Sequence, residues 1–279
     1  MSHNIQILDG KVVRETLLPI LINKVERLSF LPHLVIIQVG NREDSTAFIR
    51  AKKIFANKIG VKETHIIFSE NILEKDFINE VKKYSDDNGV HGIIVQLPLP
   101  DHIDSNKVIE KINPEKDVDG LTKNATCISA TARGIRELLQ FYNIELNNKK
   151  VAIIGRSKLV GIPIAMMCKE ENAFVTVCHS KTKNIKELTK KARILIVAIG
   201  KPHLINRDFI NKKQIVIDVG INRMPDGKLA GDVDFEDIKN SVAMITPVPG
   251  GVGAMTVLAL FENLIDLCYN PLIKNKIEK

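Results

Sequence analysis

The chain has 279 residues, 44% of them hydrophobic and 26% charged, with a formal net charge of +7. That length suits one large or two modest domains. No apolar run approaches the ~20 residues of a membrane helix, and the N-terminus MSHNIQILDGKVVRE lacks the basic and apolar segments of a secretory signal, so a cytoplasmic protein with no membrane partner is expected.

Cys127, Cys168, Cys178 and Cys268 show no C-x-x-C spacing, which argues against a disulfide framework or a metal site. The lysines and arginines are dispersed rather than blocked, and Trp is absent. The positive charge therefore suits anionic small ligands better than nucleic acid.

In chain order, β-branched runs predict strands at 34–39, 65–68 and 92–97, with amphipathic helices at 45–58, 75–84 and 105–112. Residues 113–129 have no strong period. A helix at 131–142 then leads to strands at 151–154, 174–178, 194–199, 215–219 and 243–246, with helices at 162–170 and 185–190 between them. An apolar helix at 255–267 follows, and the lysine-rich end at 274–279 reads as a frayed tail. Strands hydrophobic on both faces and joined by helices predict an α/β protein with parallel sheets. The break in the alternation predicts two α/β lobes, 1–125 and 126–254, with a cleft between them and the 255–279 segment packing back on the first.

Chemistry concentrates at three places in the first lobe. On the predicted helix at 45–58, Ser45, Phe48 and Lys52 share one face. Apolar neighbours Ala51 and Phe55 would desolvate the Lys52 amine and make it usable in proton transfer. Gln96, at the end of a buried strand, stands where Val or Ile would pack better, so its amide should bond something specific. In the loop N-P-E-K-D-V-D-G, Asp117 and Asp119 lie at i, i+2. A metal reading lacks further ligands; one carboxylate pairing a flat heterocycle at two points fits better.

The second lobe opens with K-K-V-A-I-I-G-R-S-K-L-V-G-I-P, a strand breaking at Gly155-Arg156-Ser157 into a helix start. Gly155 fills the first slot of the G-x-G-x-x-G fingerprint, Ser157 replaces the second glycine and Val160 the third. The pattern predicts a Rossmann-like dinucleotide-binding domain with a phosphate at the helix N-terminus. The following strand ends in His179-Ser180-Lys181-Thr182, without the carboxylate that would accept from an NAD ribose. Arg156 with Ser180 and Lys181 suits a 2′-phosphate, which favours NADP over NAD; the alternative is that Arg156 and Lys181 are solvated surface charges.

The segments VGNREDSTAFIRAKK, GIIVQLPLP, PEKDVDG, GRSKLVGIP, VIDVGIN and TPVPGGVGAMTV resemble, collinearly and over nearly the whole chain, the bifunctional methylenetetrahydrofolate dehydrogenase/methenyltetrahydrofolate cyclohydrolase family. The resemblance implies oxidation of 5,10-methylenetetrahydrofolate with NADP, then hydrolysis to 10-formyltetrahydrofolate, serving purine, histidine and methionine biosynthesis. It makes Lys52 the lysine of hydrolysis, with Gln96 beside it and Asp119 anchoring the pterin. Phe48, Gly251 and Ala254 fall at substrate positions. Gly155, Arg156, Ser157, Ser180 and Ile221 fall at cofactor positions. A homodimer formed through the cofactor lobe is also implied.

Four departures from the family pattern accompany the match. Phe48 stands where the family usually has Tyr. The loop at 121–128 is markedly shorter than usual. Ser129-Ala130-Thr131-Ala132 replaces P-C-T-P, and Ala254 replaces the proline of G-G-V-G-P. These leave two alternatives, a dehydrogenase with weak cyclohydrolase activity or a folate- or nucleotide-binding protein without turnover.

Overall fold

The computed structural model describes residues 5–269; the tail at 274–279 lies outside them. The chain divides into two compact units, one holding residues 17–130 and 257 onward, the other residues up to 16 and 131–256. The chain opens with the short strand β1 (Gln6–Ile7) and the helix α1 (Gly10–Glu26). Neither was expected from the sequence. A two-residue strand has no periodicity, and Val12 and Ile20 of α1 face solvent, which blurs its apolar stripe.

In the first unit, β2 (His33–Val39), α2 (Glu43–Ile59), β3 (Lys62–Phe68), α3 (Glu74–Asp86) and β4 (Gly92–Val95) alternate as predicted. The three strands form a parallel sheet in the order β3-β2-β4. β2 is central and buried along nearly its whole length, which accounts for its unbroken hydrophobic run. One side of the sheet builds a core from Val35, Ile37, Val39, Ile93 and Val95 against Phe77 and Val81 of α3. The short helix α4 (Ser105–Ile109) adds Val108 to that core, and Asp104 caps it by accepting from the Asn106 and Lys107 N–H groups.

The second unit continues through α5 (Ala130–Phe141), which starts at the boundary, β5 (Lys150–Ile154), α6 (Gly161–Glu170), β6 (Phe174–Cys178), α7 (Ile185–Lys191), β7 (Ile194–Val197) and β8 (Ile215–Asp218). A small antiparallel hairpin, β9 (Asn222–Arg223) and β10 (Leu229–Ala230), was not foreseen from the sequence. After α8 (Phe235–Ile238) and β11 (Met244–Ile245), the long helix α9 (Val252–Tyr269) begins. The six main strands run parallel in the order β1-β11-β8-β7-β5-β6.

β1 pairs with β11 through Gln6 and Met244. Residues 6 and 7 therefore join the six-stranded sheet, which departs from a first domain starting at residue 1. From residue 257 α9 belongs to the three-stranded unit. By length and composition alone this helix could cross a membrane. It is instead a core helix, with Leu258, Phe261, Leu264 and Ile265 fully buried. Phe261 packs on Phe55 of α2 at 5.2 Å between ring centroids. A Cβ on Gly92 would meet Leu264 and Val118 at 2.7 and 2.6 Å, so β4 starts on a glycine because α9 and the 118 segment close on it.

Candidate active site

Along α2 the buried positions are Ser45, Ile49, Phe55, Ala56 and Ile59, and Ser45, Ile49, Ala56 and Ile59 form a stripe spaced four, seven and three residues apart. Lys52 falls inside that stripe, between Ile49 and Ala56, where the helical period calls for an apolar residue. Its amine donates to Gln96 Oε1 at 2.9 Å. Burial holds the Lys52 pKa below the ordinary lysine value, and the charge of Asp119 acts against that shift. Of the two apolar neighbours noted in the sequence, Phe55 is buried and Ala51 is exposed. Phe48, one turn earlier, keeps 38% of its surface exposed.

Gln96 follows β4 and extends its ladder by donating its backbone N–H to Ile37 O at 2.8 Å. Its side-chain nitrogen donates to Leu97 O at 2.8 Å. That bond orients the amide so that Oε1 is presented to Lys52. The strand stops at Val95, two residues short of the predicted end, and the Leu97–Pro98 bond beyond it is cis.

The two loop carboxylates have separate tasks. Asp117, 1% exposed, accepts from the backbone N–H groups of Gly120, Leu121 and Thr122 at 3.0, 2.7 and 2.6 Å. It shapes the turn. Asp119 is the one whose charge acts on Lys52; burial raises its pKa, and Lys52 lowers it. The turn is held at both ends by Asn263 of α9, whose side-chain nitrogen donates to Val118 O and Ile128 O at 2.9 and 3.0 Å. Ala130 N–H donates to Asp119 O at 3.1 Å, which ties the end of the loop back to its start. The sequence singled out neither the role of Asp117 nor Asn263; an amide at helical spacing among the buried Leu260, Leu264 and Leu267 is the signal that marks the latter.

In the other unit, β5 ends at Gly155, which has φ +127°, and a Cβ there would meet Ala198 O at 2.1 Å. A Cβ on Gly161 would lie 2.4 Å from Gly155 O. The loop is thus bare backbone packed against backbone at the N-terminus of α6, a cradle that fits a pyrophosphate. The Ser157 hydroxyl accepts from the Val160 and Gly161 N–H groups at 3.2 and 3.3 Å and so closes the loop itself. β5 and β6 are adjacent, with Ile154 opposite Cys178. Arg156 and Ser180 therefore leave neighbouring strand ends, and both are exposed. The 179–182 turn is fixed by His179 N–H donating to Thr182 Oγ1 at 2.9 Å.

Ile221 follows β8 and is partly exposed. Gly251 and Ala254 sit at the start of α9, where Ala254 N–H donates to Gly251 O at 3.1 Å. These two belong to the six-stranded unit, whereas Lys52, Gln96, Asp119 and Phe48 belong to the three-stranded one. Among the described residues no three His, Cys, Asp or Glu side chains are grouped to hold a metal ion. Sequence reasoning also missed two buried carboxylates, Asp218 and Asp232.

Residues 8–119 match the model of the tetrahydrofolate dehydrogenase/cyclohydrolase catalytic domain, and residues 129–271 that of its NAD(P)-binding domain. The chain is 42% identical over 270 residues to a protein of Streptococcus agalactiae named bifunctional protein FolD, covering 92% of this chain and 95% of that one. Its structure superposes with a TM-score of 0.92 on the bifunctional FolD methylenetetrahydrofolate dehydrogenase/cyclohydrolase of Campylobacter jejuni, at 37% identity, covering 95% of this chain and 99% of that one. The Trypanosoma brucei FolD, solved with NADP cofactor and inhibitor, gives 0.89 at 32% identity, covering 96% and 98%.

Proposed function

The chain belongs to the tetrahydrofolate dehydrogenase/cyclohydrolase family, and on that premise we propose that it oxidises 5,10-methylenetetrahydrofolate with NADP and hydrolyses the methenyl product to 10-formyltetrahydrofolate. The observation that carries the hydrolytic half is the 2.9 Å bond from the Lys52 amine to Gln96 Oε1, made by a lysine whose burial favours its neutral form. A methenyltetrahydrofolate is cationic, and a lysine that gives up its proton does not repel it. Neutral Lys52 takes a proton from the water that attacks the methenyl carbon. Gln96 holds the amine in place, and Asp119 pairs the N–H and amino group of the pterin. Phe48 supplies a ring face for the folate.

The bare-backbone loop at Gly155 and Gly161 fits NADP: Gly155, Arg156 and Ser157 would hold its phosphates, Ser180 its ribose edge, and Ile221 its nicotinamide end. The bound cofactor supplies the hydride acceptor, and the protein's part in that step is positioning.

A second reading, a dehydrogenase with slow hydrolysis, rests on Phe48, which lacks the hydroxyl that would reach toward the lysine. Supplying methylenetetrahydrofolate and NADP and following methenyl and formyl products together tests both. Formyl production keeping pace with methenyl supports the bifunctional reading, accumulating methenyl supports the second, and neither product from folded protein rejects both.

The enzyme is further proposed to work in the cytoplasm as a homodimer, without nucleic-acid or membrane partners. β6 is an edge strand of the six-stranded sheet with Phe174 62% exposed, and Ile162 and Met166 of the neighbouring α6 also face outward. An apolar edge of this kind needs a cover. Sedimentation showing a monomer at micromolar concentration would oppose the dimer.

A further inference from the structure

Two carboxylates buried in the six-stranded unit lie outside the chemistry above. Asp232 has no exposed surface. It accepts from the N–H groups of Ile199 and Gly200 on one oxygen, at 2.6 and 2.9 Å, and from Lys201 N–H and the Asn222 side-chain amide on the other, at 2.8 and 2.9 Å. Asp218, at the end of β8, accepts from Gly220 N–H and Asp232 N–H at 3.0 Å each and from Val233 N–H at 2.9 Å. Seven donors thus converge on two side chains that an apolar core would otherwise exclude.

Five of the seven donors, those of Ile199, Gly200, Lys201, Gly220 and Asn222, belong to the loops leaving adjacent strand ends. Residues 199–201 follow β7, and 220–222 follow β8. Such loops face the ligand in an open parallel sheet. The first is packed on the phosphate loop, because Gly155 has room for no side chain against Ala198 O. The second carries Ile221. The glycines record the same constraint: a Cβ on Gly220 would lie 2.2 Å from Asp232 Cγ, and one on Gly231 1.8 Å from Asp218 Oδ2.

We propose that Asp232, supported by Asp218, is the positioning residue of the dinucleotide site, joining the loop behind Gly155 to the loop that carries Ile221. The inference rests on NADP being the ligand of this unit. A carboxylate suits the task because it accepts on both oxygens and donates on neither. Asparagine at the same place turns two donors toward backbone N–H groups and pushes one loop away.

The test is NADPH fluorescence titration of the full chain with Asp232→Asn and Asn222→Ala, combined with steady-state kinetics. Asp232→Asn is expected to weaken NADPH binding and raise the KM for NADP at least tenfold, with the KM for methylenetetrahydrofolate moving less than twofold. Asn222→Ala, which removes one of the four bonds to Asp232, is expected to give a smaller change, roughly fivefold, in the same constants. A side chain serving the fold alone would lower the active fraction and leave both KM values in place. If Asp232→Asn fails to fold, Asn222→Ala decides. NADPH affinity within twofold of the parent in the folded variants overturns the proposal. A parent that binds NADPH yet forms no methenyl product overturns the assigned reaction and leaves the positioning role standing.

Discussion

Lys52 and Asp119 perturb each other in opposite senses: the carboxylate favours the lysine's proton, and the ammonium favours the carboxylate's charge, while burial opposes both. The balance sets the pH at which Lys52 becomes a base. Because burial lowers the Lys52 pKa from 10.5, hydrolysis rises with pH through an ionisation below that value, as neutral lysine accumulates.

Asp119→Asn removes the charge that holds the proton on Lys52. The rising limb of the kcat profile for hydrolysis is then expected to move to lower pH, and the KM for folate to increase through loss of the proposed pterin contact. Initial rates of methenyl loss between pH 6 and 9.5 measure both.

Phe48→Tyr places a hydroxyl one turn before Lys52. A hydrogen bond to the amine is worth ~1 kcal/mol, or roughly fivefold in rate. Hydrolysis is expected to speed up by about that factor, with the dehydrogenase step nearly unchanged. Separate assays of the two steps read the difference.

Gly155→Ala places a methyl group 2.1 Å from Ala198 O on a residue at φ +127°. Strain of this kind costs about 1–3 kcal/mol, and the loop must shift to relieve it. The variant should unfold at lower urea concentration and bind NADPH much less tightly, as measured by denaturation and fluorescence.

Burial pushes the Asp218 carboxyl up to about 7, from an ordinary 3.8. A raised folded pKa means that this group's contribution to stability is full below the unfolded pKa and is lost as pH rises through about 7. Between pH 6 and pH 8 the loss is about 1.4 kcal/mol. Asp218→Asn removes it, so urea titrations of parent and variant should differ by about that much in their pH dependence.

Most of the alternation was legible because each strand is hydrophobic on both faces, a pattern that survives in β2, β5, β7 and β8. Lys52 was legible as a charged residue on a helix face shared with Phe48. Its weight comes from structure: Ser45, Ile49, Ala56 and Ile59 show that the face is buried. What escaped was non-local. β1 forms only by pairing with β11, 238 positions away (Gln6 to Met244), and Asp232 acquires its task from backbone donors some thirty residues earlier. Asp117 and Asp119 look alike in the sequence, and only the structure separates the one that shapes the loop from the one whose charge acts on the lysine.

The most direct measurement supplies methenyltetrahydrofolate to the parent and to Lys52→Met and follows loss of the methenyl absorbance. Methionine keeps most of the length of the side chain and removes the base, and general-base catalysis is worth about 100-fold or more. The parent should hydrolyse the substrate, and folded Lys52→Met should do so at least ~100-fold more slowly. Equal rates in the two proteins would contradict the assignment of Lys52 as the proton acceptor.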